Sequence, residues 1–222
     1  MTGHPDNPFS VAVVRAAYDA VAPDYTAAFA DDLAALPVER LMLDTALASR
    51  PSAGGPLVLD LGCGPGSVAS YLAANDAWPV GLDLSRGMLA EARSRYPGLA
   101  LVQADLRHLP IPPGRAGLAV AYFALQHLPR SDLPVALAEV RRSLVPGGVL
   151  LVATHLGAGE VELDVFLGHR IAPIGGVLYA REELLAIVRA AGFQVDLERQ
   201  RGPLPHEADT QRIYLLARAT DS

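Results

Sequence analysis

The chain has 222 residues, 51% of them hydrophobic and 19% charged, which is typical of a folded globular protein and not of a disordered one. It carries 18 basic and 24 acidic residues, for a net charge of −6, without any basic run, so we expect no nucleic-acid partner. Every basic residue is arginine and Cys63 is the single cysteine, which excludes lysine Schiff-base chemistry, an intrachain disulfide and a multi-cysteine zinc site.

The first 50 residues predict helices. Ser10 can cap a helix whose apolar residues recur on one face, and Pro23 is expected to interrupt that helix. A second helix is predicted over 37–48, and the composition of 51–56 indicates a loop. We therefore expect residues 1–50 to form a helical cover over the rest of the chain.

From residue 57 the sequence alternates strand-like and helix-like segments. The predicted strands are 57–61, 78–82, 99–103, 117–122 and 149–153. The predicted helices are 67–74, 85–96 and 131–144. Such alternation, with strands that are apolar on both faces, predicts a parallel sheet covered by helices on both sides.

The last part of the chain follows a different pattern. A helix over 181–191 is predicted to end at Gly192, and strands 193–198 and 212–217 follow it without a helix between them. We expect these two strands to pair antiparallel at the sheet edge. The predicted fold is α/β, a doubly wound sheet of about seven strands, mostly parallel with an antiparallel last strand, plus N-terminal helices.

Three of the predicted strands end in acidic residues beside turn residues. After the first strand comes Gly62-Cys63-Gly64-Pro65-Gly66, in which glycine lets the backbone turn sharply and lets a ligand lie against it. Asp83 ends the second strand, where an acid accepts hydrogen bonds from ribose hydroxyls in nucleotide-binding folds, and Asp105 ends the third. The three ends should meet at the ligand-binding edge of the sheet.

Over about residues 18–217 the chain resembles the class I S-adenosylmethionine-dependent methyltransferases, specifically the small-molecule type. Segment 57–66 resembles their first motif, and 80–85 with Met88 and Leu89 resembles the motif after the second strand. Segments 118–128 and 144–150 resemble the fourth-strand motif and the turn before strand five. The likeness implies a Rossmann-like fold, S-adenosylmethionine as cofactor and a small-molecule acceptor. Ala116-Gly117 departs from the Phe-Asp of many relatives, at the far end of the strand.

The resemblance also implies roles for individual residues. Asp60 would order the amino group of the methionine part, Asp83 would bind both ribose hydroxyls, and Asp105 would accept from the adenine amino group. Tyr25 either covers the cofactor or belongs to the core. The implied cofactor-binding residues are Tyr25, Asp60, Gly62, Cys63, Gly64, Gly66, Asp83, Leu84, Met88, Ala104, Asp105, Leu106, Tyr122 and Phe123.

Methyl transfer by in-line displacement needs neither a metal nor a covalent enzyme intermediate. A weakly nucleophilic acceptor would gain from a general base, for which His127 and His155 are candidates because both follow strands that end at the cofactor edge. Each of them could equally be a histidine that only fills a loop. Tyr18 and Arg170 are further candidates for the acceptor side. The residues favour none of O-, N- or C-methylation.

The whole chain, 1–222, is predicted to be one domain with a cofactor-binding core over 57–155. Residues 156–180 are expected to form an acceptor-side insertion, and 181–218 the C-terminal helix and edge strands. No apolar run approaches the roughly 20 residues of a membrane span. Residues 1–10 lack a basic stretch followed by an apolar one. We therefore expect no membrane partner and a cytoplasmic location.

Two other functions fit parts of the pattern. The first is a protein that keeps the cofactor fold but performs different chemistry or only binds, such as a cyclase or a regulatory domain. The second is a nicotinamide-dependent dehydrogenase, since glycines at 62, 64 and 66 and an acid at 83 partly fit that fingerprint. The fingerprint requires G-x-G-x-x-G or a final alanine, however, and position 67 is serine.

Overall fold

The computed structural model describes residues 7–52, 55, 57–205 and 207–220. Residues 1–6, for which the sequence predicts no secretory signal, lie outside the described residues, as do 53, 54 and 56 of the predicted loop. Among the described helices, none combines the length and the apolar character needed to cross a membrane.

A seven-stranded sheet with the order β3-β2-β1-β4-β5-β9-β8 forms the centre of the structure. Its strands are β1 (Leu57–Leu61), β2 (Trp78–Asp83), β3 (Ala100–Gln103), β4 (Ala116–Tyr122), β5 (Leu144–Leu156), β8 (Phe193–Arg201) and β9 (Gln211–Ala219). The first five pair in parallel. The strand order reverses between β1 and β4, and this switch point is where open α/β sheets bind ligands.

Among the described residues, six α-helices accompany the sheet. They are α1 (Val11–Phe29), α2 (Pro37–Ser49), α3 (Ser67–Ala73), α4 (Arg86–Arg95), α5 (Leu133–Ser143) and α6 (Arg181–Ala190). Side chains alternate across β4, so that Ala119 and Ala121 pack into a cluster with α5 and α6. Leu118 and Val120 point the other way, into a cluster with α2 and α3. Both faces are therefore buried, which explains the continuous apolar character of the strands.

The predicted Rossmann-like sheet, mostly parallel with an antiparallel last strand, is confirmed, and the final two strands pair antiparallel at one side of the sheet as expected. The structure adds their order: β9 is the inner strand, antiparallel to β5 on one side and to β8 on the other. Of these two strands, β8 is the one that forms the sheet edge. The reason is burial, because β9 is buried along most of its length while β8 is largely half-buried or exposed.

The prediction that Pro23 interrupts the first helix was wrong. Helix α1 begins at Val11, where the side chain of Ser10 accepts a hydrogen bond from the backbone of Val13, and continues through Pro23 to Phe29. Proline removes one helical hydrogen bond and crowds the preceding turn. Buried residues lie on both sides of it, from Val14 to Thr26, and their packing against α4 and a neighbouring hairpin offsets that cost.

The segment after β5 forms a two-stranded hairpin, β6 (Glu160–Phe166) and β7 (His169–Val177). Its turn is Leu167-Gly168, and both residues have positive φ angles, of 51° and 81°. Two such residues match the two-residue turn whose twist suits a hairpin. The sequence predicted an insertion here without assigning it a structure. Strand β7 packs against α1, which brings the two parts together over one edge of the sheet.

Candidate active site

A cavity with a volume of about 120 Å³, partly open to solvent, lies at the carboxyl ends of β1, β2 and β4 beneath α1. Most of the predicted site residues line it. They are Tyr18, Tyr25, Gly62, Gly64, Asp83, Leu84, Met88, Ala104, Asp105, Leu106, Tyr122, Phe123 and His127. Asp60, Cys63, Gly66, His155 and Arg170 are outside the cavity wall.

The glycines of the loop after β1 have different functions in the structure. Gly64 has a φ of 51°, and a Cβ atom built there would meet no other heavy atom within 4 Å, so its backbone faces open space. A Cβ atom on Gly62 would instead come within 2.3 Å of the Ala124 side chain. Gly62 therefore allows the turn after β4 to pack beneath the loop, whereas Gly64 leaves room for a ligand.

Asp83 is fixed directly beside this loop. One carboxylate oxygen accepts a hydrogen bond of 2.8 Å from the backbone N–H of Gly64, and the other accepts one of 2.8 Å from the backbone N–H of Ser85. Burial raises the pKa of Asp83, and these two amides act in the opposite direction. Each oxygen keeps further acceptor capacity for a ligand hydroxyl.

Asp60 lies beneath the loop, at the end of β1, and is 1% exposed. Among the described residues, neither of its carboxylate oxygens has a partner at hydrogen-bond geometry. Burial raises the pKa of Asp60 to about 7, and the nearby backbone of Ala69 only partly offsets this. A buried, unpaired carboxylate is costly to the folded state, and a cationic group bound nearby would lower that cost.

Arg107 lines the cavity and was not among the sequence-predicted residues. Its guanidinium donates to both carboxylate oxygens of Asp105, with a shortest distance of 2.7 Å, and to Asp132 at 2.6 Å. Although burial acts in the other direction, these hydrogen bonds lower the pKa of Asp105. The only sequence signal was the short Asp-Leu-Arg spacing after β3. Asp105 is thereby held ionised in one orientation at the cavity wall.

Aromatic side chains cover the cavity. The ring of Tyr18 lies 6.0 Å from that of Tyr25 and 6.0 Å from that of Phe166, measured between centroids. Tyr25 lies 5.9 Å from Phe166 and 4.8 Å from Phe29. Three of these rings come from α1, and Phe166 comes from the end of β6. The sequence could not assign Phe166 to the site, because the hairpin that carries it is distant along the chain.

His127 lies between α1 and β7. Its Nε2 atom is 2.7 Å from the hydroxyl oxygen of Tyr18, and its Nδ1 atom is 2.9 Å from the carbonyl oxygen of Gly175. Burial lowers the pKa of His127, and the contact with Gly175 acts in the opposite direction. His127 is therefore neutral near pH 7, at the wall of the cavity.

The other candidates do not line the cavity. The Nδ1 atom of His155 is 2.7 Å from the hydroxyl of Thr210, and burial lowers the pKa of His155 to about 4. Arg170 is exposed on β7, and Cys63 is buried, with its sulfur 2.9 Å from where a Cβ atom on Gly81 would lie. Among the described residues, no group of three or more His, Cys, Asp or Glu side chains is arranged to hold a metal ion.

Comparison with known proteins identifies a protein family that matches the segment around the cavity. Residues 58–148, which include the glycine loop, Asp83 and Asp105, match a family model described as a methyltransferase domain. By this match, the chain contains a methyltransferase domain over residues 58–148. Over 109 residues it is 48% identical to the trans-aconitate 2-methyltransferase of Methylobacterium nodulans, an alignment that covers 48% of this chain and 41% of that protein. The chain spans about half the length of the curated relatives it matches.

Solved structures share the fold of this methyltransferase domain. The 1,6-didemethyltoxoflavin-N1-methyltransferase of Burkholderia thailandensis, with its substrate and S-adenosylhomocysteine bound, superposes with a TM-score of 0.75 at 21% identity. That match covers 100% of this chain and 94% of the other. The 4+2 cyclase SpnF superposes with a TM-score of 0.71 at 22% identity and covers 100% of both chains. At these identities the likeness shows the fold alone.

Proposed function

We propose that this protein binds S-adenosylmethionine and transfers its methyl group to a small-molecule acceptor. The observation that carries the proposal is the cradle formed by Gly64 and Asp83, in which an open backbone lies beside a carboxylate fixed by the amides of Gly64 and Ser85. That pair lies at the carboxyl ends of β1 and β2, beside the switch point of the sheet, where this class of fold binds nucleotides.

The chain's own residues fit each part of such a cofactor. The carboxylate of Asp83 would accept hydrogen bonds from the ribose hydroxyls, and Asp105, held by Arg107, would accept one from the adenine amino group. Leu84 and Met88 would pack against the adenine. The unpaired carboxylate of Asp60 would attract the cationic amino group of the methionine part. The bound cofactor would supply a methyl group on a sulfonium, which is open to in-line displacement.

The acceptor side of the cavity supports a small, largely apolar acceptor. The aromatic rings of Tyr18 and Tyr25 line it and pack against Phe166, and aromatic faces attract cations such as a sulfonium. They also exclude water from the reacting groups. The named activities of two matched proteins, on trans-aconitate and on didemethyltoxoflavin, involve small molecules as well. We propose a small-molecule acceptor for this chain as well, without proposing that it is one of these two compounds.

Calorimetric titration tests the proposal. We expect S-adenosylmethionine and S-adenosylhomocysteine to bind and NADH not to bind. The Asp83→Ala variant should lose most of the affinity for both sulfur compounds. Asp209→Ala, which changes an exposed aspartate outside the cavity wall, is the matched control and should bind like the wild type. Absence of binding by both sulfur compounds would overturn the proposal, and binding of NADH alone would favour a dehydrogenase.

A second candidate function is a cofactor-bound fold with other chemistry. The match to a 4+2 cyclase over the full length of both chains is the observation that favours it. Methyl transfer consumes the cofactor and releases S-adenosylhomocysteine, whereas a cyclase would leave the cofactor intact. Mass spectrometry of the cofactor after incubation with candidate acceptors separates the two functions.

A further inference from the structure

Two hydrogen bonds determine which nitrogen of His127 carries a proton. The carbonyl oxygen of Gly175 can only accept, so the Nδ1 atom, 2.9 Å away, must be the donor. In the neutral ring the Nε2 atom then has only a lone pair. The hydroxyl of Tyr18, 2.7 Å from Nε2, must therefore donate its proton to His127.

This arrangement sets what Tyr18 offers to the cavity. With its proton directed at His127, the hydroxyl oxygen has only lone pairs left for other partners. Tyr18 lines the cavity, whereas the Nε2 atom of His127 is already occupied by Tyr18. A ligand group beside Tyr18 must hence be a hydrogen-bond donor, and any proton it gives up reaches His127 through Tyr18.

The backbone around Gly175 supports the same arrangement. Its N–H donates to the carbonyl of Pro8 at 2.9 Å, and a Cβ atom at this position would lie 2.4 Å from the ring of Phe9. The carbonyl that holds His127 is thus fixed on a strand packed closely against the start of α1. The tautomer of His127 is set by tertiary packing.

We propose that the methyl acceptor carries a neutral hydroxyl group, that Tyr18 contacts this hydroxyl, and that Tyr18 relays its proton to His127. This inference rests on the proposed methyl transfer and adds the class of acceptor to it. Tyr18 is the catalytic residue in this scheme, and His127 acts through it.

The step balances in atoms and charge. The O–H bond of the acceptor breaks and its proton goes to the Tyr18 oxygen, while the original Tyr18 proton goes to Nε2 of His127. The electron pair left on the acceptor oxygen forms the bond to the methyl carbon, and the pair of the broken C–S bond stays on sulfur. The positive charge of the sulfonium is replaced by that of the imidazolium, so the net charge of the enclosed site does not change.

The same geometry discriminates among acceptors. A hydroxyl donates to the Tyr18 oxygen, whereas an ether has no proton to donate. A carboxylate would place its negative charge against the lone pairs of the Tyr18 oxygen, which is repulsive. Losing one such hydrogen bond in a buried site costs about 1.4 kcal/mol, or roughly tenfold in affinity. The proposal therefore predicts that the site prefers phenol to anisole and to benzoate.

Nuclear magnetic resonance tests the first half of the proposal without any acceptor. In ¹⁵N-labelled protein at pH 7, the His127 ring, assigned by comparison with the His127→Gln variant, should be neutral and protonated on Nδ1. Protonation on Nε2 alone, or on both nitrogens, overturns the relay. This measurement does not depend on cofactor binding, so a wrong tautomer would overturn the relay without overturning the proposed function.

Ligand-observed titrations with phenol, anisole and benzoate, on protein saturated with S-adenosylhomocysteine, test the second half. We expect phenol to bind about tenfold more tightly than the other two, and the Tyr18→Phe variant to lose this preference while still binding S-adenosylhomocysteine. Tyr71→Phe, which changes a tyrosine of α3 that does not line the cavity and bonds Asp44, is the control and should keep the preference. Equal binding of the three probes, no binding of phenol, or a preference that survives Tyr18→Phe overturns the relay. Failure of the wild type to bind S-adenosylhomocysteine instead overturns the proposed function.

Discussion

Asp60 illustrates how a single residue can be unfavourable for stability and useful for binding. It is 1% exposed, and both of its carboxylate oxygens lack partners among the described residues. Native proteins keep such groups where a ligand completes them. The sequence indicated an acid at the end of β1, but only the packing around it shows that the carboxylate is left without a donor.

We predict that Asp60→Asn stabilises the protein above neutral pH while weakening cofactor binding. The pKa of Asp60 is raised to about 7 in the folded protein. Above that pH the folded protein holds the negative charge in its interior, whereas the unfolded chain holds it in water, where the charge is more stable. The gain should reach a few kcal/mol (about 2 to 4) at pH 8 and disappear below pH 4, where both states are protonated. Urea denaturation at several pH values measures it. A gain that does not change with pH would contradict the assignment.

Alanine substitutions at two glycines can distinguish the effect of backbone strain on stability from the loss of the ligand-binding cradle. Gly64 and Gly114 both have positive φ angles, of 51° and 63°, and both face open space, but only Gly64 lies at the cavity. Alanine at either position should destabilise the protein by about 1 kcal/mol, since L-residues disfavour this conformation. Only Gly64→Ala should also abolish binding of S-adenosylhomocysteine in calorimetry. Loss of binding in Gly114→Ala as well would show that the effect is indirect.

At the scale of elements, α1 is the cover of the site. One carboxylate oxygen of Asp19 accepts from the hydroxyl of Ser85 at 2.6 Å and from the backbone N–H of Gly87 at 2.8 Å. Helices α1 and α4 approach closely here, as shown by the Cβ atom that a substitution of Gly87 would add, which would lie 3.1 Å from the Asp19 backbone. Since the N–H of Ser85 also holds Asp83, the cover is linked directly to the proposed ribose-binding acid.

We predict that Asp19→Ala weakens binding of S-adenosylhomocysteine several-fold, because it removes two hydrogen bonds that hold α1 over the cavity, each worth about 1 kcal/mol. Asp19→Asn keeps an acceptor oxygen and should retain most of the affinity. Asp31→Ala breaks an exposed pair with Arg95 and is the control that should bind like the wild type. Hydrogen exchange should show faster opening of α1 in Asp19→Ala. Unchanged affinity in that variant would argue against the link.

At the scale of the whole molecule, a buried ionic network joins the N-terminal helices to the last two strands. The guanidinium of Arg201 on β8 donates to Glu39 on α2 at 2.8 Å and to Glu207 at 2.6 Å. Tyr214 on β9 also donates to Glu39, which is 1% exposed. Hydrogen bonds to Arg201 lower the pKa of Glu207 to about 2, although burial acts in the other direction. Glu207 therefore stays ionised throughout the neutral range.

We predict that Arg201→Met destabilises the protein by roughly 3 kcal/mol, because it leaves the carboxylate of Glu39 buried without its cation. Arg181→Met, which breaks the exposed pairs with Glu198 and Glu182, is the matched control and should change stability little. Urea denaturation of both variants measures the difference. A similar stability for the two variants would show that the buried network contributes no more than a surface ion pair.

Much of the fold and of the cofactor side could be predicted from the sequence, because the information there is local. Apolar runs of strand length, the glycine loop and the acids that follow strands are all read within a few residues, and parallel strands must bring their carboxyl ends to one edge. Asp83 and His127 could be placed at that edge on these grounds, whereas Tyr18 was a candidate only through the family resemblance. Phe166 and Arg107 could not, because their positions depend on a hairpin and on an ion pair with Asp132.

By itself, the sequence determined the parallel core, the antiparallel finish and the position of the candidate cofactor site. Only the tertiary structure decided that α1 continues through Pro23, that β9 lies inside the sheet, and that His127 lines the cavity while His155 bonds Thr210. The physical reason is the range of the interactions. Periodicity and turn chemistry act within one element, whereas burial, helix packing and the hydrogen-bond partners of a side chain are set by segments that meet only in the folded chain.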